Sequence, residues 1–88
     1  MKLKYSFENV RIGNKYVCVP IENGAEDVHG VVRLNKEGME IFSLLREETT
    51  VDSIVDQLDA KYDSDRETLK KYVHKVVEKL KDAGLMED

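Results

Sequence analysis

The chain has 88 residues, 41% hydrophobic and 36% charged with one proline, which describes a small foldable domain too short to enclose a deep internal active site. Its formal charge of −4, from 14 Lys and Arg against 18 Asp and Glu, disfavours nucleic acid as a partner. A single cysteine excludes an intrachain disulfide, no apolar run approaches the ~20 residues of a membrane span, and the start Met1-Lys2-Leu3-Lys4 is unlike a signal peptide, so a cytoplasmic location is expected.

Phe7, Val10 and Ile12 anchor a strand predicted over 5–12. Gly13-Asn14 then suits a tight turn with glycine at the position that needs a positive φ, and a second strand follows over 15–21, where Pro20 lacks an amide donor and marks an edge or an end. A polar loop over 22–30 carries the turn signal Asn23-Gly24 and the acidic pair Glu26-Asp27. The hydrophobic period then changes within V-V-R-L-N-K-E-G-M-E-I-F-S-L-L. Val31, Val32, Arg33 and Leu34 read as a third strand, closing an antiparallel meander whose last member keeps one edge unless a helix or loop covers it. Met39, Ile41, Phe42, Leu44 and Leu45 recur at helical spacing, with Asn35 as the cap and Glu37 in the first turn of a helix over 36–46.

Thr50 can cap a second helix whose stripe is Val51, Ile54, Val55, Leu58 and Tyr62. Ser64 followed by Glu67 fits a capping box at the head of a third helix over 65–83, which would bury Leu69, Val73, Val76, Val77 and Leu80. Gly84 is a left-handed stop, after which Leu85 and Met86 fold back and Glu87 and Asp88 stay in water.

Winding the third helix at about 100° per residue puts Thr68, Tyr72, Lys75 and Lys79 in one column beside the apolar stripe. An aromatic ring above two cations suits an extended, partly acidic peptide. The plainer reading is that Tyr72 seals the core margin while the lysine stems lie over it. His29 and His74 are far apart in sequence and have no ligand-like neighbours, so no metal site is expected. Cys18 reads as a small strand residue, the serines lack a nucleophile elbow, and the glycines form no phosphate-cradling loop. Neither catalysis nor a cofactor is expected.

The ordered runs V-R-L-N-K-E-G-M-E-I-F-S-L-L, T-V-D-S-I-V-D-Q-L-D-A-K-Y-D and V-V-E-K-L-K-D-A-G-L-M, with the upstream strand V-C-V-P, resemble the PqqD-like family of precursor-peptide recognition elements over about residues 9 to 87. The resemblance implies one α+β, winged-helix-like domain over 1–88, a three-stranded antiparallel sheet followed by three helices, without catalytic activity. Such domains bind the leader of a ribosomally made precursor peptide and present its core to a modifying enzyme, often a radical S-adenosylmethionine protein. The leader joins the third strand, beside the third helix, which implies a peptide-binding site at Val31, Val32, Arg33, Leu34, Thr68, Tyr72, Lys75 and Lys79. This sequence has Tyr72 where relatives tend to have an acid, and Phe42 where tryptophan is common; the first bears on which leader is accepted. Two rival readings are a winged-helix DNA-binding regulator, against which Asp65 and Glu67 place acids where base contacts would fall, and a homodimer pairing through the third strand or third helix.

Overall fold

The structure is a computed structural model that describes residues 1–22, 24, 26, 28 and 30–87. Among these residues the elements run β1 (Lys2–Leu3), β2 (Phe7–Ile12), β3 (Lys15–Pro20), β4 (Val32–Leu34), α1 (Lys36–Leu44), α2 (Val51–Asp59), α3 (Arg66–Asp82) and β5 (Met86–Glu87). The strands β2, β3 and β4 form the antiparallel meander in that spatial order, with Val10 opposite Val17 and Cys18 opposite Val32. Gly13 supplies the left-handed turn at φ 64°. Because side chains alternate, Phe7, Cys18 and Leu34 point into the core and are buried, while Val10, Ile12 and Val19 lie exposed on the outer face with Glu8. The third strand starts one residue later than expected, leaving Val31 just outside it and 46% exposed.

The helices close over the inner face. Asn35 caps α1, its side-chain oxygen accepting from the Gly38 amide at 2.8 Å, and Thr50 caps α2 by accepting from the Ser53 amide at 3.1 Å. The expected stripe of α3 is buried in full, and Phe42, Ile41, Leu45, Ile54, Val55, Val73, Leu80 and Leu85 are at most 1% exposed. The capping box at Ser64 and Glu67 does not form. Asp65, one residue later, is the N-cap and makes no side-chain cap bond, so Glu67 falls at the second helical position, out of reach of the reciprocal bond. Arg66 in that first turn pairs instead with Asp56 of α2 at 2.7 Å, an exposed pair that adds little stability.

A second, two-stranded sheet forms where the sequence carries no strand signal. β1 pairs antiparallel with β5, Lys2 opposite Glu87 and Leu3 opposite Met86. The Leu3 amide donates to the Leu45 carbonyl and the Lys4 amide to the Leu85 carbonyl, both at 2.8 Å, which seals the bottom of the core with Leu3, Leu85 and Met86. Within the polar loop expected over 22–30, Gly24 and Glu26 are instead helical, the Val28 amide donating to the Gly24 carbonyl at 2.9 Å, while Asn23, Asp27, His29 and the terminal Asp88 lie outside the described residues.

Cys18 has no exposed surface, its Sγ lies 3.6 Å from the Met39 sulfur, and burial raises its thiol pKa, with Arg46 pulling weakly the other way. A thiol that is both enclosed and protonated reacts only when the fold opens. Modification of Cys18 by a disulfide reagent should therefore be slow in the native protein and rise steeply across the unfolding transition, as followed by released thiolate absorbance.

Candidate functional site

Among the described residues β4 pairs with β3 alone, so its other edge presents unpaired backbone groups. The strand is positioned by its junction with α1, because Asn35 ends β4 and caps that helix in a single residue. The flank of α3 lies across from that edge, and the space between is a groove of about 630 Å³ lined by Arg33, Leu34, Asn35, Tyr72, Lys75, Val76, Lys79 and Leu80 among others. Two recesses continue it. One of about 550 Å³ reaches toward the end of α3 through Val31, Val32, Ala83 and Leu85 and shares Arg33, Lys79 and Leu80 with the groove. The other, about 250 Å³, lies between the helices at Glu37, Leu58, Tyr62, Thr68 and Leu69 and shares Asn35 and Tyr72.

One contact divides this trough. The Tyr72 hydroxyl donates to Asn35 Oδ1 at 3.0 Å, and the same oxygen accepts from the Gly38 amide. A single amide oxygen thus caps α1 and bolts α3 to the end of β4, using both of its lone pairs. Tyr72→Phe keeps the ring and removes the bolt, so it should lower stability by about 0.5–1 kcal/mol, a shift of a few degrees in the thermal midpoint.

All the residues singled out in the sequence line this trough, but not one compartment. Leu34, Lys75 and Tyr72 border the central groove; Arg33 and Lys79 border it and the recess beyond; Val31 and Val32 lie in that recess; Thr68 lies on the far side of Tyr72. Tyr72 is half-buried at the core margin and also walls the groove. The apolar floor, Val76 and Leu80, was legible only as core. Asn35 was legible only as a cap. Among the described residues no ion pair occupies Arg33, Lys75 or Lys79, which leaves these cations available to an incoming anion. Behind the small recess, burial first and then the Glu40 carboxylate raise the pKa of the Tyr62 phenol, with Glu37 and Tyr72 adding to it. Among the described residues no cluster of three or more His, Cys, Asp or Glu is arranged to hold a metal ion, and no helix is long and apolar enough to cross a membrane.

The geometry, an open strand edge facing a cationic helix flank over an apolar floor, is suited to an extended chain rather than to a small molecule. The family described as coenzyme PQQ synthesis protein D (PqqD) matches residues 16–86. A solved structure described as TbiB1 in complex with the TbiA(beta) leader peptide superposes with a TM-score of 0.74 at 26% identity, covering 99% of this chain and 95% of that one. No curated protein matches the chain.

Proposed function

Since the chain belongs to the PqqD family, we propose that it is a peptide-recognition protein that captures the leader of a ribosomally synthesised precursor and presents it to a separate modifying enzyme. The observation that carries this reading is the edge of β4 alongside α3, unpaired among the described residues. The leader adds to that edge as a further strand, so hydrogen bonds to the outward-facing main-chain groups of Val32–Leu34 hold it whatever its sequence. Specificity comes from the side chains that face it: Val31 at the entry, the floor of Val76 and Leu80, Tyr72 and Thr68 at the far end, and the free cations Arg33, Lys75 and Lys79. The likeness to a protein solved with a leader peptide supports this placement.

The chain carries no catalytic step in this reading and acts over its whole length as one recognition unit. Ordering a flexible leader costs entropy and limits affinity, while holding the leader beside an enzyme raises the effective concentration of the core. The family resemblance points to a radical S-adenosylmethionine protein as one class of such an enzyme.

The test is a calorimetric titration with the synthetic leader of a precursor encoded beside this chain's gene. The double variant Lys75→Glu, Lys79→Glu should weaken binding by about 10- to 100-fold, and the wild-type affinity should fall with added salt. Unchanged affinity would remove the lysines from the site. Because both side chains are exposed, the variant should keep the wild-type melting temperature.

A further inference from the structure

The trough changes character at the Tyr72–Asn35 hydrogen bond. On the β5 side its walls carry Arg33, Lys75 and Lys79, with Glu78 and Asp82 as the acids. On the other side, the recess between α1, α2 and α3 is lined by Leu58, Leu69, Tyr62, Tyr72, Thr68 and Glu37 and includes no lysine or arginine. Glu37 is thus the one charged side chain among the residues that line this recess. Glu40 lies one turn along α1 from Glu37, and its Oε2 is buried with no hydrogen-bond partner of good geometry among the described residues.

Resting on the reading of the trough as a peptide site, we infer that this recess receives a lysine or arginine side chain of the bound peptide, while the stretch beyond Tyr72 receives its carboxylates. A long aliphatic stem matches Leu58 and Leu69, and its cationic head meets two tyrosine rings and Glu37. An edge strand accepts a new strand in either direction. The order of charges therefore selects the direction, with the basic residue at the Asn35 end of β4 and the acidic residues at the Val31 end. Tyr72, which walls both compartments, sets the boundary between the two preferences.

The experiment uses the intact 15N-labelled chain and three blocked amino acids, the Nα-acetyl N-methylamides of lysine, leucine and glutamate, titrated into the millimolar range by NMR. The lysine probe should shift the amides of Tyr62, Thr68 and Leu69 saturably and bind there at least about threefold more tightly than the leucine probe. Glu37→Gln should remove most of that advantage, and the glutamate probe should act at Lys75 and Lys79 instead. Equal binding of lysine and leucine, an advantage that survives Glu37→Gln, or no shift in the recess with any probe overturns the inference. Blocked residues form no strand, so the result is separable from strand addition, which a pair of extended peptides with opposite Lys-to-Glu order tests at the amides of Val32, Arg33 and Leu34. If the probes behave as stated while those amides stay fixed, strand addition fails and the charge order stands; if the amides respond but both peptides bind equally, only the charge order falls.

Discussion

Replacing Phe42 by alanine should lower the stability of the folded chain by about 3–5 kcal/mol, the largest loss expected of any single truncation in its core. Phe42 has no exposed surface and its ring meets Phe7 edge-on, centroids 5.1 Å apart at 78°. It is thus the point where α1 grips β2, and the electrostatic preference of that ring pair is lost together with the packing. A small domain holds roughly 5–15 kcal/mol in total, so the variant should melt on the order of 20 °C lower or be partly unfolded at ambient temperature. Thermal denaturation followed by circular dichroism checks this. Phe42→Trp is the informative partner, because the family resemblance places tryptophan there; a larger ring at a position with no exposed surface should cost about 1–3 kcal/mol unless neighbours repack.

The second large effect concerns the peptide rather than the protein. Methylating alternate amide nitrogens of a leader should abolish binding in one phase and leave it within about threefold in the other. In an extended strand successive amides point to opposite sides, and only one set can reach β4. The damaging set should cost at least about 30-fold, since each methyl removes a donor and also holds the two backbones apart. Loss in neither phase would mean that side chains alone hold the peptide, and equal loss in both that the peptide is not added to β4 as a one-sided strand. The contrast matters because β4 is only three residues long and offers few main-chain bonds, so its contribution must be read separately from that of the lysine flank.

Local spacing made much of this legible in advance. The buried stripe of α3 and the column of Thr68, Tyr72, Lys75 and Lys79 beside it follow from the helical period alone, and the caps at Asn35 and Thr50 follow from side-chain chemistry within a single turn. That β4 sits at the edge of the meander followed from element order; that no neighbouring strand pairs with that edge among the described residues did not. The features that escaped were set by contacts between distant residues. Nothing near Tyr72 signals that its hydroxyl will find Asn35, 37 positions away. Nor could winding α3 by itself show that Thr68 is separated from Lys75 by that bond, because the acidic wall of the recess comes from Glu37 on another helix. The pairing of β1 with β5 is two residues long on each side and leaves no hydrophobic period to detect. The capping box failed by one position, a displacement that motif spacing does not resolve.

That small outer sheet has a mechanical consequence. Lys2 lies opposite Glu87 in an antiparallel pair, so a tension applied to the first and last residues would peel the rungs apart one after another instead of shearing them together. Stretched between optical traps, the domain should yield first at its ends and at low force, exposing Leu3 and Met86 before the three-stranded meander is disturbed.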